Sequence, residues 1–460
     1  MTLETTATTS AAQLQERLGA LIHLPGDALF DAMRMPWNVA VDQRPAAVAT
    51  PATADEVAAI VTTAAELGLR IAPQSSGHGA AALSQHSLDD VVLLRTLGLT
   101  GVEIDAEQRV ARVGGGVLWD DVVTAAAAHG LAALHGSSPD VAVAGYTLGG
   151  GIGWYARKHG LASNSLVAVE IVTADGQLLR ASDEENADLF WAIRGGGGNF
   201  GVVTSLELRL FDIRDAYAGF MLWDIAHAEK VVRRWAEWTR TTPDEVSSSL
   251  RILRLPPLPE LPDFLRGQTL VVVDGAVLGD DAFGQQLLAG LRELQPHMDT
   301  FARVPAPAVT RIHMDPEGPT PGEGDGTLLA DLDDAAIDAF LAVAGPGVTS
   351  SLLSAELRQL GGVLSRPAEH GGALSHLDGA YALYGVGIAP FPEAVAQVRA
   401  DAARLLAALA PWASGATYLN FAETPVDPHA AYAADAWTRL QQVQAQADPN
   451  GVFVANHRIG

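Results

Sequence analysis

Three glycine-dense loops constrain this chain more than any other feature of its sequence. They read SSGHG at 75–79, GGGIGW at 149–154 and GGGGNFG at 195–201, and each follows an apolar run typical of a β-strand. Because glycine has no Cβ, backbone N–H groups in such loops can approach a large anionic ligand closely. The sequence therefore predicts a dinucleotide cradle that is assembled from separate parts of the chain.

A histidine stands at the tip of the first loop, between Gly77 and Gly79. The neutral imidazole is well populated near neutral pH and is a nucleophile, and the flanking glycines leave no bulk beside the ring. A loop histidine that only satisfies backbone groups is the simpler interpretation. The strand before it and the glycine on each side favour a role in contacting the ligand. A dinucleotide beside a reactive imidazole suggests a flavin that is covalently tethered.

The composition excludes several classes of protein. With 460 residues, the chain is long enough to form two or three substructures with large cores. Its net charge of −25 disfavours nucleic acid and anionic membranes as partners. It has no cysteine, which excludes disulfides, cysteine-ligated zinc, iron–sulfur clusters and thiol catalysis. The first ten residues have no basic stretch followed by an apolar core, so we expect no signal peptide and a cytoplasmic protein.

The first part of the chain alternates between predicted strands and helices. After a mobile start we expect a helix over 11–21, a strand at 46–49 and a capping box at 53–56 that opens a second helix. A strand at 69–73 then leads into the histidine loop, which is the pattern of a βαβ unit. Hairpins follow, and a long strand at 202–211 closes this region.

The pattern changes near residue 214. An amphipathic helix is predicted at 229–240, and 316–326 reads as a loop rich in proline, glycine and acidic residues. We interpret the region from 214 to about 413 as a second lobe with an antiparallel sheet backed by helices.

Other site motifs are weak or absent. The segment 151–156 matches the Rossmann pattern and Glu170 stands at a suitable distance, but the loop lies behind hairpins rather than at a first βα turn. No histidines have the spacing of a metal site, and no G-x-S-x-G elbow is present. The hydroxyls of Ser137 and Ser138 are better suited to contacting a phosphate or a ribityl chain.

Taken in order, these motifs resemble the FAD-binding family of vanillyl-alcohol oxidase and p-cresol methylhydroxylase, and within it the branch of berberine bridge enzyme and hydroxynicotine oxidase. The resemblance covers about 44–211 and resumes at 418–459, where the sequence reads YLNF at 418–421 and DPNGVF at 448–453. It implies an α+β fold: a split, two-subdomain FAD-binding domain of the p-cresol methylhydroxylase type, with an antiparallel-sheet substrate lobe backed by helices.

The same resemblance divides the chain into four parts. It implies an N-terminal helical segment at 1–43, an FAD-binding domain at 44–213, a substrate lobe at 214–416 and a C-terminal segment at 417–460 that returns to the FAD domain.

The resemblance also assigns cofactor contacts. The first loop would hold the pyrophosphate and place His78 at the flavin 8α-methyl, through Ser75, Ser76, Gly77, His78 and Gly79. A further set would line the ribityl chain and the ring: Ser137, Ser138, Val141, Gly145, Gly149, Gly150, Gly153 and Trp154. Four residues would approach the adenine or its ribose: Asn164, Gly201, Val202 and Val203.

Two positions depart from the family. Ser138 stands where members with a doubly linked flavin have cysteine, so only a histidyl link is possible. Ile152 stands where some plant members have a catalytic tyrosine, so the base must come from elsewhere. Tyr418 and Asn420, in the tail segment that resembles the family's active-site strand, are the leading candidates near the flavin.

The second lobe supplies further candidates for the active site. Glu356 and either Tyr381 or Tyr384 would lie on the sheet that covers the flavin, although an ordinary sheet position is the simpler interpretation of each. In this branch a small residue at the position of Val141 accompanies reactivity with dioxygen.

The resemblance implies an FAD oxidase that takes a hydride from a carbon next to oxygen or nitrogen in a small molecule, a sugar or a biosynthetic intermediate. An oxygenating or cyclising flavoenzyme and a ligand-binding protein without redox turnover are the alternatives. The expected partners are the small-molecule substrate and dioxygen. The sequence predicts neither the identity of the substrate nor the oligomeric state.

Overall fold

A computed structural model describes residues 3–259, 261–263, 265–424 and 426–460, and its strands form three sheets. The first sheet has the order β1-β2-β4-β3, with β2 and β3 both parallel to β4. This is the predicted βαβ unit, with β4 lying between its two strands. The strands are β1 (Ile22–His23), β2 (Ala47–Ala49), β3 (Arg70–Gln74) and β4 (Val91–Arg95). The helices around them are α1 (Leu3–Leu18), α2 (Phe30–Arg34), α3 (Ala54–Glu66) and α4 (Ala80–Leu83).

Helices α1 and α3 pack together on this sheet. The predicted capping box opens α3, since Thr53 Oγ1 accepts from the Glu56 N–H and Glu56 Oε2 accepts from the Thr53 N–H, both at 3.2 Å. The predicted boundaries of α1 are wrong, because the helix begins at Leu3 and ends at Leu18 rather than covering 11–21. Packing of Ala11 and Leu14 against the core outweighs the low helix propensity of the threonines before them. Residues 1 and 2 of the predicted mobile start lie outside the described residues.

The second sheet is antiparallel, with the order β5-β6-β9-β7-β8. Its strands are β5 (Val102–Asp105), β6 (Val110–Gly114), β7 (Leu166–Val172), β8 (Leu178–Ser182) and β9 (Val202–Arg209). Its helices are α5 (Trp119–Ala127), α6 (Val143–Leu148), α7 (Ala156–His159) and α8 (Ala187–Gly196). A core built around Trp119, Phe190 and Leu206 joins α5, α6 and α8 to this sheet.

The third sheet is the largest and is also antiparallel, with the order β13-β10-β12-β11-β16-β17-β15 and β14 beside β10. Its strands are β10 (Asp215–Asp224), β11 (Val246–Arg254), β12 (Thr269–Val277), β13 (Met298–Asp299), β14 (Ala302–Pro305), β15 (Gly322–Leu329), β16 (Ser354–Gln359) and β17 (Tyr381–Ile388). Four helices accompany it: α9 (Ala228–Thr239), α10 (Asp281–Arg292), α11 (Asp334–Ala344) and α12 (Pro392–Leu409). Their shared core includes Trp223, Trp235 and Phe340 on the helix-backed face of the sheet. On the opposite face, Ala216, Ala218 and Ala276 pack against Trp154 and Tyr155.

The loop predicted at 316–326 is partly wrong. Residues from Gly322 onward form β15, which pairs with β17 in an antiparallel register. The glycines that suggested a loop leave room for an aromatic ring, because a Cβ at Gly324 would lie 3.1 Å from Tyr384 Oη. Packing against the neighbouring strand, which no local pattern records, therefore determines this element.

The C-terminal segment joins the first two sheets. Helix α13 (Ala434–Ala447) places Leu440 in the core of the second sheet. Val452 then accepts a hydrogen bond from the Ile71 N–H at 2.7 Å, and the Val454 N–H donates to Ile71 O at 2.8 Å. Two subdomains with separate sheets are thus tied together by residues more than 370 positions apart in sequence.

The arrangement confirms the predicted α+β class. In the described part of the chain, no helix combines the length and apolar character that a membrane span requires.

Candidate cofactor and active site

The first glycine loop connects β3 to α4 and presents His78 beside the second sheet. Gly77 has φ +85°, and a Cβ there would lie 2.7 Å from Pro36 Cβ, so this turn requires glycine. Ser76 Oγ lies 2.9 Å from His78 Nδ1. Ser75 Oγ donates to Gly115 O at 2.9 Å and lies 2.6 Å from Thr96 Oγ1, so its hydroxyl fixes the loop to the neighbouring subdomain.

Two residues that the sequence did not single out surround His78. The Trp37 indole stacks on the imidazole with a centroid distance of 4.0 Å and an interplanar angle of 17°. The Asp140 carboxylate lies 3.7 Å from His78 Nε2 and accepts from Trp37 Nε1 at 2.6 Å. Asp140 could have been noticed because it stands in the same loop as Ser138, whereas nothing in the sequence marks Trp37.

The second loop runs from Ser137 to Trp154 and contacts both lobes. Ser137 Oγ donates to Asp315 Oδ2 at 3.2 Å, and Ser138 Oγ donates to Asp140 Oδ1 at 2.9 Å. Val141 is partly buried against the core of the second sheet. These hydroxyls therefore already have protein partners, and the resemblance alone assigns them to the ribityl chain.

The glycines of this loop are packed to different extents. Gly145 has nothing within 4 Å of a Cβ, whereas a Cβ at Gly149 would lie 1.9 Å from Asn420 Oδ1. A Cβ at Gly153 would lie 1.8 Å from the carbonyl oxygen of His135, and Gly150 has φ +115°. Gly149, Gly150 and Gly153 are therefore needed for close approach within the protein, which leaves Gly145 as the open position.

Tyr418 lies against this loop. Its Oη accepts from the Gly151 N–H at 2.9 Å and from Asn420 Nδ2 at 3.2 Å, while Asn420 Nδ2 also donates to Tyr146 O at 3.0 Å. Burial raises the pKa of Tyr418 to about 12, and the donors from Gly151 and Asn420 act in the opposite direction. The predicted strand at this position is wrong, because Leu419–Phe421 is a 3-10 turn that folds both side chains back onto the loop.

A buried charged cluster lies on the face of the third sheet that is opposite its helices. Arg358 Nε donates to Glu356 Oε1 at 2.7 Å, and His313 Nε2 lies 3.4 Å from Glu356 Oε2. His313 Nδ1 lies 2.9 Å from Asp274 Oδ2, which also accepts from Arg251 NH2 at 2.7 Å. The cations Arg251, His313 and Arg358 thus alternate with the carboxylates Asp274 and Glu356, and all but the loop residue His313 lie on strands of the sheet.

The cluster fixes the charge of its members. Burial raises the pKa of Glu356, but Arg358 and His313 outweigh burial and hold that pKa well below its ordinary value. Burial and Arg251 lower the pKa of His313, but Asp274, Asp315 and Glu356 together raise it to about 9. Glu356 is therefore a carboxylate and His313 an imidazolium at neutral pH.

Arg358 connects this cluster to the glycine loop. Its guanidinium carbon lies 5.7 Å from the centre of the Trp154 ring and 5.6 Å from the centre of the Phe421 ring. The Phe421 ring in turn lies 5.1 Å from that of Tyr418. Arg358 stands two residues after Glu356, so the alternation of side chains along a strand could have placed it on the same face.

The two candidate tyrosines of β17 lie on opposite faces. Tyr384 is the cross-strand partner of Glu356, and its hydroxyl donates to Glu423. Tyr381 belongs to the helix-backed core, where its Oη lies 2.7 Å from Thr239 Oγ1. The structure therefore brings Glu356 and Tyr384 toward the loops and places Tyr381 away from them, because residues an odd number apart on a strand face opposite ways.

The predicted adenine contacts separate into two places. Val202 and Val203 pair with Val172 and Ile171 at one end of β7, whereas Asn164 precedes the other end of that strand. The Asn164 amide donates to Ser375 O at 3.0 Å instead. Asn164 and the 201–203 segment therefore lie at opposite ends of β7, and their contact with the adenine or its ribose stays a prediction.

The loops fit a large polar cofactor. Among the described residues, several buried polar atoms in and around the loops have no hydrogen-bond partner: His78 Nε2, Trp119 Nε1, His135 Nε2, Tyr146 Oη, Thr147 Oγ1, Trp154 Nε1, Tyr155 Oη and Ser163 Oγ. Such atoms are rare in native proteins unless a ligand or water satisfies them. A separate open cleft of about 500 Å³ is bordered by Leu97, Gly116, Val117 and Asp121, and no predicted cofactor contact lines it. This cleft borders Gly116. The preceding residue, Gly115, lies against the backbone of Val203, since a Cβ at Gly115 would lie 2.3 Å from Val203 O.

Comparison with known proteins gives the same cofactor. Residues 45–182 match the FAD binding domain family. (R)-6-hydroxynicotine oxidase of Paenarthrobacter nicotinovorans is 40% identical over 200 residues, which cover 43% of each chain. The first curated relatives are matched over 42% to 52% of their own length, so the matches span about half of those proteins.

Solved structures match nearly the whole chain. The structure of 6-hydroxy-D-nicotine oxidase from Arthrobacter nicotinovorans aligns with a TM-score of 0.82 and 27% identity over 95% of this chain and 97% of that one. A variant of BBE-like 1 from Physcomitrella patens aligns with a TM-score of 0.86 and 21% identity over 98% and 99% of the two chains. The split FAD-binding domain with an antiparallel-sheet lobe is thereby confirmed. The chain therefore contains an FAD binding domain at 45–182 and has the overall fold of 6-hydroxy-D-nicotine oxidase.

Proposed function

We propose that this protein is an FAD-dependent oxidase that takes a hydride from a carbon next to oxygen or nitrogen in a small molecule or sugar and transfers the electrons to dioxygen. The observation that carries this proposal is the position of Tyr418, whose hydroxyl is held by the Gly151 N–H and the Asn420 amide at the glycine loop. When bound, FAD supplies the hydride acceptor and, once reduced, the electrons for dioxygen.

Tyr418 is the proposed proton acceptor. Oxidation of an alcohol or amine carbon releases the proton of its O–H or N–H group, and a positioned base speeds that release. Two N–H donors on Tyr418 Oη favour the phenolate, and the nearby Arg358 cation acts in the same direction. Asn420 has the role of a positioning residue, since its Nδ2 links the phenol to the Tyr146 carbonyl.

Glu356 has a different proposed role. Its carboxylate is already paired with Arg358 and lies near His313. If Glu356 accepted a proton, it would lose its charge and break a buried ion pair. We therefore assign Glu356 to holding Arg358 between the Trp154 and Phe421 rings. Tyr418 is then the group that accepts the proton from substrate.

We also propose that FAD is tethered through His78. Support comes from its place on a tip between Gly77 and Gly79, where Gly77 has φ +85° and leaves no side chain beside the imidazole. Ser138 excludes a second, cysteinyl link. Flavin that stays with acid-precipitated protein, and that is lost in His78→Ala, is the expected result.

Relatives named as oligosaccharide oxidases and as a hydroxynicotine oxidase support the two substrate classes, sugars and cyclic amines. A relative named as a monooxygenase supports testing the oxygenating alternative as well.

The experiment is a panel of sugars, alcohols and amines assayed for hydrogen peroxide, with Tyr418→Phe as the control for non-enzymatic signal. Peroxide formed in proportion to oxidised substrate supports the proposal. Labelled oxygen recovered in the product, without peroxide, would establish the oxygenating alternative instead.

A further inference from the structure

We propose that Trp37 and Asp140 are positioning residues that hold the His78 imidazole for its covalent bond to FAD. This inference rests on the tether proposed above, and it assigns roles to two residues outside the glycine loops.

Trp37 covers one face of the imidazole. The two rings are nearly parallel, at 17°, and their centres are 4.0 Å apart. The Trp37 backbone N–H donates to Ser76 O at 2.8 Å, so the indole is fixed to the same loop that carries the histidine. Rotation of the imidazole toward that side is therefore blocked, and the ring can meet a partner only through its edges and its other face.

Asp140 holds one edge of the imidazole. Its carboxylate accepts from Trp37 Nε1 at 2.6 Å, from the Gly318 N–H at 2.8 Å and from Ser138 Oγ at 2.9 Å. Burial raises the pKa of Asp140, but these donors and His78 outweigh burial and keep it well below its ordinary value. The group is thus a carboxylate that only accepts hydrogen bonds.

The carboxylate selects one tautomer of His78. Its Oδ1 lies 3.7 Å from Nε2, an atom that is buried and has no hydrogen-bond partner among the described residues. A small closure of this distance forms a charge-assisted hydrogen bond, which requires the proton on Nε2. Nδ1, 2.9 Å from Ser76 Oγ, then carries the lone pair that a nucleophile needs.

A bond forms between a ring nitrogen of His78 and the carbon of the flavin 8α-methyl group, while one C–H bond and one N–H bond break. The two electrons and two protons released reduce the flavin, and dioxygen reoxidises it with formation of hydrogen peroxide. Asp140 stabilises the positive charge that develops on the imidazole as its nitrogen forms the new bond.

A purely structural role for Asp140 makes a different prediction. Its bond to Gly318 joins the loop to the third-sheet lobe, so the carboxylate could serve only to tie the lobes together. Asp140→Asn separates the two roles, because the amide oxygen still accepts from Gly318 and Trp37 but carries no charge. Trp37→Phe keeps an aromatic face on His78 and removes only the Nε1–H donor.

The experiment measures the rate of tethering. The full-length chain, prepared with little flavin, is mixed with FAD, and the flavin that remains with acid-precipitated protein is followed over time together with total bound flavin. Wild type, His78→Ala, Asp140→Asn and Trp37→Phe are compared. The matched control is Asp175→Asn, since Asp175 is also a carboxylate with local hydrogen-bond donors but lies in the turn between β7 and β8.

We expect Asp140→Asn to slow tethering by about tenfold to a hundredfold while total bound flavin and thermal stability stay near those of wild type. Trp37→Phe should slow it by a smaller factor, and Asp175→Asn should leave it unchanged. Tethering by Asp140→Asn at the wild-type rate would overturn the inference alone, as would loss of all bound flavin in that variant, which would reveal a role in folding. Wild type without acid-stable flavin would instead overturn the tether itself, and this inference with it.

Discussion

The hydroxyl oxygen of Tyr418 accepts a hydrogen bond from the backbone N–H of Gly151 at 2.9 Å, which joins the C-terminal segment to the second glycine loop. The two residues are 267 positions apart in sequence. The bond places a buried phenol at the loop that the resemblance assigns to the flavin, and Asn420 adds a second donor to the same oxygen. The proposed chemistry depends on this contact, because it gives the site a base whose ionised form has two N–H donors.

Tyr418→Phe should slow flavin reduction by substrate by about a hundredfold or more, because it removes the proton acceptor. Since burial raises the pKa of Tyr418 to about 12, the wild-type rate of reduction should rise with pH across the whole range in which the protein is folded. In the variant this rise should disappear while FAD stays bound. Anaerobic stopped-flow reduction over a pH series checks both points. A wild-type rate that is flat between pH 6 and 9 would point to Glu356, which is ionised throughout that range.

Glu356→Gln should move the pH dependence of flavin reduction to lower pH. Without the carboxylate, the charge of Arg358 is no longer neutralised, and a cation near the phenol favours its ionised form. Breaking a buried ion pair should also lower the free energy of unfolding by about 3–5 kcal/mol. Denaturant unfolding and the same pH series are the measurements. Asp244→Asn, which disrupts the exposed ion pair with Arg366, is the control and should change neither quantity appreciably.

Val141→Leu should slow reoxidation of the reduced enzyme by air far more than its reduction by substrate. Val141 is partly buried in the loop between Asp140 and Ala142, and an added methylene in close-packed surroundings can fill the small apolar space that dioxygen needs. Stopped-flow mixing of the reduced enzyme with oxygenated buffer tests this. If the variant is less stable but keeps the wild-type ratio of the two rates, Val141 only packs the loop.

Glu423→Gln should stabilise the protein at alkaline pH. Burial, together with Glu323 and Asp325, raises the pKa of Glu423 from an ordinary value of 4.5 to about 7, although the Tyr384 hydroxyl lowers it. Between these values the folded chain holds a proton that the unfolded chain has lost, so stability falls as pH rises through this window.

The variant should escape this loss and exceed wild type by on the order of 3 kcal/mol at pH 8, with no difference near pH 4. Denaturant unfolding at both pH values measures it, with the exposed Glu369→Gln as a control. A difference that does not change with pH would show that Glu423 is not titrating in this window.

Local sequence was a good guide where backbone conformation determines the structure. The glycine loops could be predicted because Gly77 at φ +85° and Gly150 at φ +115° adopt conformations that other residues rarely accept. The capping box at Thr53 likewise depends on neighbours three residues apart. The position of Tyr418 came only from the resemblance, and the strand expected there is a 3-10 turn.

The rest of the site depends on contacts between distant segments. Trp37 and Asp140 are 103 residues apart, and Arg358 and His313 are 45 apart, so no spacing rule brings them together. Strand β15 was missed because its glycines accommodate the Tyr384 ring of a neighbouring strand. The separation of Tyr381 from Tyr384 was available from the period of a strand, but only once β17 had been identified as a strand.

The central claim, that the chain is an FAD oxidase, is tested most directly by one anaerobic titration. The purified protein is mixed with each sugar, alcohol or amine in the absence of oxygen, and the visible absorbance of the flavin is recorded before and after air is admitted. The account predicts that a substrate bleaches the flavin and that air restores its absorbance with one hydrogen peroxide per flavin. If the compounds bind and shift the flavin spectrum but none of them bleaches it, the oxidase assignment is contradicted. The protein would then be a ligand-binding protein without redox turnover.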